Sequence, residues 1–379
     1  MKIGIDIYSF DKPGENYGVG PGVYVWHLLP KLFEYGKDIQ FYVFGNKENE
    51  SLIPRADNIK IIIDPLPNRI RLTRILHEQI IVPFYAKKYN LDLMHFMGNN
   101  ISYLLSKKSV ITIYDLMWKY YLDLGHNDLK YKYFLKTVPK SIKMAKGIIT
   151  ISSFIRQQVY ENFDKDLKQI IPVLLAPCEL KQPDEKQKSI FISQYSYKFI
   201  FTVTTSLPHK NLITLLKAFY KLKSLGKYKG KLLVAGQLKG DYHNQTIAFI
   251  KRNNLENEII LTGFISEELK TYLYTSADFI VYPSLYEGFG LPVLEAMSAG
   301  NIVLASHAAS IPEAGGDACI YFDPSSVEDL FKKLLSLVEN PSWKEENRGK
   351  RLAHFKNFNW DKTAKETLEA YKYFEKRIL

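Results

Sequence analysis

Two α/β domains, each a parallel sheet covered by helices, are what this sequence predicts, and three observations predict them. Short apolar runs alternate with longer amphipathic ones along most of the chain, the pattern of strand–helix–strand units rather than of hairpins. A polar, proline-bearing stretch at 177–188 (PCELKQPDEKQK) divides that alternation into two series of similar length. The 379 residues are enough for two cores of ordinary size.

Composition narrows the partners. With 46% hydrophobic and 24% charged residues the chain reads as globular and water-soluble, not disordered. A net charge of +11, from 51 basic and 40 acidic residues, points to an anionic partner: a phosphate-bearing substrate, a lipid surface or nucleic acid. The excess lies in the first half, where residues 69–150 hold 14 Lys and Arg against 5 Asp and Glu. Cys178 and Cys319 are too few and too separated for a disulfide framework or a metal site, which fits a reducing cytoplasm; each is read as a small buried residue. MKIGIDIYSF reads as a buried strand rather than a charged leader with a cleavage site. No apolar run approaches the roughly 18 residues of a membrane span, so any contact with anionic membrane is expected to be peripheral.

After the first strand comes a polar loop at 11–17, then Gly18, Gly20 and Gly22 ahead of a periodic helix at 23–35. These glycines approach the dinucleotide fingerprint, but they lie beyond the strand and the third falls at Gly22, where Val23 would have to be glycine. A flexible turn facing a ligand, or a tight structural turn, accounts for them better. Strands follow at 39–44 and 59–63. The stretch 69–76 alternates basic and apolar residues into 77–89; such a pattern can lie on anionic lipid or form a solvated helix face. Strands at 92–96 and 110–114 bring His95, Gly98, Asn99, Asn100 and Asp115 to carboxyl ends of a parallel sheet, where ligands bind; each could equally cap a turn. Residues 127–146 are helical, with Lys130, Lys132, Lys136, Lys140, Lys143 and Lys146 among Tyr131, Tyr133 and Phe134. Without a zinc spacing, an RNA-reading signature or a basic tail, this composition fits a surface near lipid headgroups, or no partner, better than nucleic acid. Asp164 and Asp166 have the spacing of a metal-binding Asp-x-Asp pair but lie in a charged turn after no buried strand, and are read as solvated charge.

The second series of strands falls at 199–205, 232–235, 258–261, 279–282 and 302–305. Two features of it carry chemistry. Pro208-His209-Lys210-Asn211 joins a strand to a helix at 212–225, and lysine there is a point charge suited to phosphate. YPSLYEGFGLPVLEAMSAG at 282–300 places Glu287, then Gly288, Phe289, Gly290 and Leu291, at a turn into a helix that Pro292 can begin, with Glu295 about one turn in. The glycines allow close backbone approach, the helix amides suit an anion, and the carboxylates can accept hydrogen bonds from hydroxyls. A cation and helix amides for a diphosphate, with carboxylates for ribose and sugar hydroxyls, is the chemistry of a nucleotide-sugar site.

This second half resembles the donor domain of the retaining glycosyltransferases of family 4, of the bacterial surface-polysaccharide type. The resemblance runs through 208–211, Gly236, 261–264, the stretch from Pro283, Ser306 and 311–324 (IPEAGGDACIYFDP), in order over nearly all of 200–335. The first half matches more loosely, through 18–22, 77–79, 92–95, 114–116 and 149–152. The resemblance implies the GT-B fold: two Rossmann-like α/β domains facing across a cleft, an acceptor domain at 1–180 and a donor domain at 181–360, with a C-terminal helix at 361–379 crossing back to the first domain. It implies that Lys210 binds the donor diphosphate, Glu295 the ribose, Glu287 the transferred sugar, the amides of 289–291 sugar hydroxyls and phosphate, and Gly20 the phosphates from across the cleft. No metal and no cofactor beyond the donor are implied. Two positions depart from the pattern. Many relatives have histidine where Tyr114 precedes Asp115, and many have a second cation, commonly arginine, where His209 stands. His209 would be largely neutral at pH 7 unless a diphosphate raised its pKa. The activity implied is transfer of a hexose or deoxyhexose from a nucleotide diphosphate to a hydroxyl of a glycan, with Glu287, Lys210 and Asp115 at the reaction centre and His95, Asn99 and Tyr114 on the acceptor side. The basic, aromatic first half suggests a lipid-linked acceptor at the inner face of the cytoplasmic membrane. A nucleotide-sugar epimerase and a non-catalytic nucleotide-sugar binding protein are the alternatives.

Overall fold

The computed structural model describes residues 1–10, 20–118 and 129–377, the side chains of 129–131 excepted. Gly18 and the loop before it lie outside the described residues, as do the side chains of Lys130 and Tyr131. The chain divides into two compact units, Met1–Leu175 with Asn359–Leu379, and Ala176–Phe358. The stretch 177–188 is therefore only partly a connector. Its second part opens the helix Glu185–Gln194, because Asp184 accepts the Gln187 N–H while the Gln187 side chain accepts the Asp184 N–H, a reciprocal cap that holds a helix start.

The first unit is built on seven parallel strands, β1 (Lys2–Asp6), β2 (Gln40–Asn46), β3 (Ile59–Asp64), β4 (Leu93–Phe96), β5 (Ser109–Ile113), β6 (Gly147–Thr150) and β7 (Ile170–Pro172), in the order 3-2-1-4-5-6-7. Its interior strands are mostly apolar and fully enclosed, as sheets covered on both sides must be. Gly20, with φ +71°, stands at the start of the helix Pro21–Tyr35. Val23, Val25, Leu28, Leu29 and Leu32 recur at helical spacing and turn inward; full burial of each leucine contributes about 2 kcal/mol. The C-terminal helix Trp360–Glu375 belongs to this unit. Its Asn359 cap accepts the Lys362 N–H, Thr363 donates to the Leu174 carbonyl, and Phe374 packs so closely on Gly147 that a Cβ there would meet the ring at 2.7 Å.

One ionic cluster lies inside this unit. Asp6 and Asp64, last residues of β1 and β3, flank the His77 ring at 3.2 and 2.7 Å, and Tyr8 stacks on it at 3.9 Å. Burial alone would push the imidazole down, but the two carboxylates outweigh it and raise His77 to about 9. Next to it, burial pushes Glu78 up to about 8.

The second unit has six parallel strands, β8 (Phe199–Val203), β9 (Lys231–Ala235), β10 (Ile259–Gly263), β11 (Ile280–Tyr282), β12 (Val303–Ser306) and β13 (Ile320–Phe322), in the order 10-9-8-11-12-13. Ile200, Leu232, Val281 and Leu304 from the sheet pack with Leu215, Phe219, Leu330 and Leu334 from its helices. Strand order reverses between β8 and β11, and the crevice at such a switch point is where open α/β sheets bind ligands. The edge strands β7 and β13, three residues each, are too short to show a period in the sequence.

Candidate functional site

The loops that leave β8 and β11 meet at that switch point. After β8 the chain makes a tight turn over Pro208–Lys210, and Asn211 takes the left-handed conformation (φ 57°) before the helix Leu212–Ser224, a backbone state that asparagine tolerates better than most residues. The Asn211 side chain fixes the turn to its surroundings. Its Nδ2 donates to the carbonyls of Pro283 (3.1 Å) and Pro324 (2.9 Å), and its Oδ1 accepts the Thr214 hydroxyl at 2.7 Å. The Leu285 N–H donates to the His209 carbonyl at 2.7 Å. These contacts hold Lys210 against the β11 loop, where its Nζ lies 2.7 Å from Glu287 Oε1. Both side chains are mostly enclosed, with 19% and 14% of their surface exposed.

Glu287 is held ionised. Burial pushes its carboxyl up, but the Lys210 charge and hydrogen bonds from Lys210, Ser284 and Tyr282 prevail and keep it below the usual glutamate range. The backbone around it is pinned as well. Ser310 donates to the Glu287 carbonyl at 2.8 Å, and Ser306 donates to the Ser284 carbonyl. Gly290, with φ +114°, then admits the chain to the helix Leu291–Ser298; a Cβ there would only touch Ala314, at 3.5 Å, so it is the backbone angle that calls for glycine. Phe289 turns its ring inward against Phe358 at 5.9 Å, so what this stretch offers a ligand is backbone. The helix start brings partial positive charge to the same place as the Lys210 ammonium.

Glu295, one turn into that helix, sits between two partners the sequence did not announce. Lys270 Nζ lies 3.4 Å from its carboxylate, and the Tyr274 hydroxyl donates to it at 3.2 Å. Both come from one face of the helix Glu267–Ser276, and Lys270 is further held by Glu267 at 2.7 Å. No motif marks these residues; only the pairing of a lysine and a tyrosine four apart could have suggested a shared carboxylate. His209 is neutral at pH 7, because burial and the adjacent Lys210 charge push it down to about 4, with Glu287 opposing them too weakly.

The first-unit candidates divide. His95 is fully enclosed in β4, with Nδ1 2.6 Å from the Tyr371 hydroxyl and Nε2 2.8 Å from the Thr112 hydroxyl. Burial pushes it down to about 3, so it is a neutral core residue, and the expectation that it meets an acceptor is corrected. Tyr114 is corrected likewise: it is 5% exposed, its hydroxyl donates to the Met97 carbonyl at 2.7 Å, and its ring stands edge-on to Tyr24. Asp115, just beyond β5, accepts the Met117 N–H at 2.9 Å and is half-buried. Asn99 keeps a buried Oδ1 that has no hydrogen-bond partner among the described residues. Gly20 has open space where a Cβ would stand, and its backbone conformation is what excludes a side chain. Cys178 and Cys319 are free thiols of intermediate exposure, less enclosed than expected. Asp166 caps a short turn by accepting the Lys168 N–H, as solvated charge does.

Two parallel, doubly wound units, one carrying a cation, an anchored carboxylate and a helix start at its switch point, define the GT-B architecture. Solved structures agree in fold. Sucrose-phosphate synthase from Thermosynechococcus elongatus superposes with a TM-score of 0.73 over 98% of both chains at 18% identity. Anabaena Alr3699/HepE, solved in complex with UDP, gives 0.69 over 97% of this chain and 98% of that one at 15% identity. The family of group 1 glycosyl transferases matches residues 183–376, and the chain belongs to it. Among sequence relatives, the O-antigen chain mannosyltransferase B of Escherichia coli is 32% identical over 252 residues, 65% of this chain and 66% of that protein. The serotype-specific mannosyltransferase WbdA of Escherichia coli is 26% identical over 290 residues, 73% of this chain but 36% of its own length. The chain thus spans less than two thirds of these relatives.

Proposed function

We propose that the protein transfers a hexose, mannose in the first instance, from a nucleotide diphosphate to a hydroxyl of a growing surface glycan carried on lipid, and that the anomeric configuration is retained. The observation that carries this reading is the Lys210–Glu287 pair at the β8–β11 switch point, beside the start of the helix that bears Glu295. The names of the sequence relatives support mannose and O-antigen glycans. In the proposed reaction the donor diphosphate takes Lys210 and the amides of 289–291 as its partners. Glu295, steadied by Lys270 and Tyr274, accepts hydrogen bonds from ribose. Glu287, freed from Lys210 as the lysine turns to phosphate, accepts them from the sugar.

The bond between the anomeric carbon and the phosphate oxygen breaks while the acceptor hydroxyl adds from the same face. The acceptor proton passes to the departing phosphate oxygen, and nucleoside diphosphate leaves. Charge on the leaving group is met by Lys210 and the helix amides, the groups whose aim at developing charge matters most for rate. Asp115 remains the first-unit carboxylate assigned to the reaction centre, and Asn99, with its unpartnered oxygen, the acceptor-side residue. A panel of nucleotide-diphosphate sugars screened by thermal shift tests the donor, since a ligand that binds only the folded state raises its stability. A mannosyl donor should raise the melting temperature, and Lys210→Ala should abolish the rise. No shift with any sugar nucleotide would defeat the reading.

A further inference from the structure

Residues 71–89 of the first unit form one helical run in three pieces: α-helical Arg71–Leu76, a π-helical turn His77–Ile81, and α-helical Val82–Tyr89. On its outer side Leu72, Ile80 and Phe84 are 65%, 60% and 62% exposed. In a regular α-helix, spacings of 8 and 12 residues would swing Ile80 and Phe84 by about 80° and about 120° from Leu72. The π turn closes one residue later and absorbs one position, which brings all three to within about 20° of one line. Gln79, inside that turn, clasps the next segment: its Nε2 donates to the Ile101 carbonyl (2.9 Å) and its Oε1 accepts the Tyr103 N–H (3.0 Å). The turn Tyr103–Lys108 is thereby held beside the helix, and its Leu104 is 77% exposed.

The surroundings of these apolar side chains are basic. Arg71 lies over the Tyr133 ring at 3.9 Å and Lys140 over the Tyr103 ring at 4.0 Å, which ties the lysine-bearing helix Leu129–Met144 to the same flank. Lys87 and Lys88 are exposed on the helix itself and Lys107 on the adjoining turn. Across 69–90, 103–108 and 129–144 the sequence holds one acid besides these cations, Glu78, which burial keeps protonated at neutral pH. From outside them Glu48 meets Arg69 at 3.3 Å.

We propose that this face docks on the anionic surface of a phospholipid bilayer, with Leu72, Ile80, Phe84 and Leu104 entering the headgroup layer and the flanking Arg and Lys meeting lipid phosphates. Nucleic acid would satisfy the cations but leave the exposed apolar side chains in water. A second copy of the face would bring like charges together. A bilayer surface accepts both at once, as it does for basic amphipathic helices. The proposal rests on the reading of a lipid-carried acceptor, for which it names the surface that would find the membrane.

The test is sedimentation of the full chain with vesicles of phosphatidylcholine alone and with added phosphatidylglycerol. Wild type should partition to the anionic vesicles and be released by salt. The pair Leu72→Gln, Phe84→Gln should bind at least about tenfold more weakly. Lys87→Gln and Lys88→Gln should each cost roughly fivefold. All variants should keep the wild-type melting temperature and the wild-type release of nucleoside diphosphate with a water-soluble acceptor. Equal sedimentation with both vesicle types, or variants that sediment like wild type, would overturn the proposal, as would a Phe84-dependent dimer or oligonucleotide complex without vesicle binding. Normal release alongside failed sedimentation would leave the transfer reading standing, whereas absent release alongside vesicle binding would remove that reading alone.

Discussion

Replacing Glu287 by Gln keeps the shape of the side chain and removes its charge, which isolates the ion pair with Lys210. The pair is short, 2.7 Å, with 19% and 14% of the two side chains exposed. Removal of one partner leaves an enclosed ammonium without its counter-ion, while solvent still reaches part of it. The loss should therefore fall near that of a charge-assisted hydrogen bond, about 2 to 3 kcal/mol, below the 3 to 5 typical of a fully buried pair. For a unit of this size that corresponds to a fall in melting temperature of roughly 4–12 °C. Lys210→Met should cost a similar amount, and the double variant less than the sum, because the two changes remove one shared interaction. Turnover should respond more steeply. Loss of one preorganised charge at a transition state costs about 10²–10³ in rate, so each single variant should lose at least that much nucleoside diphosphate release. Melting curves with a double-mutant cycle, beside a release assay at saturating donor, read both quantities. Additive stability losses, or near-normal turnover in either variant, would refute the coupling of this pair to donor chemistry.

Asn211→Ala removes two bonds to backbone carbonyls and one from Thr214; it should cost about 2 kcal/mol and raise KM for the donor as Lys210 loses its support, which melting and steady-state kinetics would show. Gly236→Ala would place a Cβ 1.8 Å from the Thr204 carbonyl oxygen at φ +125°, so it should lower the melting temperature or abolish soluble expression, and a variant as stable as wild type would contradict this geometry. The pH profile should be a dome. His77 is raised to about 9, so its stabilising contribution is complete below about 6.5 and is lost as pH rises through 9. Glu78, raised from 4.5 to about 8, also lowers stability with rising pH, but between those two values, where it offsets part of the acid limb. His95 and His209 are lowered, so stability falls as pH drops from about 6.5 toward 4. Melting temperatures measured from pH 4 to 9.5 should show both limbs, and His77→Asn should flatten the alkaline one.

How far the sequence spoke differs between the units. The parallel architecture was legible because buried strands such as Ser109–Ile113 and Val303–Ser306 are short, mostly apolar runs between helices. The Glu287–Glu295 turn was legible because glycine, proline and carboxylate spacing acts locally. What escaped depends on contacts distant in the chain. His95 looks like a ligand at a strand end, but Tyr371 reaches it from 276 residues away and makes it core. Tyr114 is likewise spent on the Met97 carbonyl. Lys270 and Tyr274 are unremarkable on their own helix until the fold brings Glu295 between them. The π turn that aligns Leu72, Ile80 and Phe84 has no periodic signature, since it is itself a break in period.

Incubation with a nucleotide-diphosphate mannose and a lipid-linked oligosaccharide tests the central claim most directly, with nucleoside diphosphate release, glycan extension and product anomeric configuration read from one reaction. Acceptor-dependent release with one sugar added in the donor's anomeric configuration, lost in Lys210→Ala, is the result predicted. Donor isomerised without extension, donor bound without release, or an inverted linkage would contradict it.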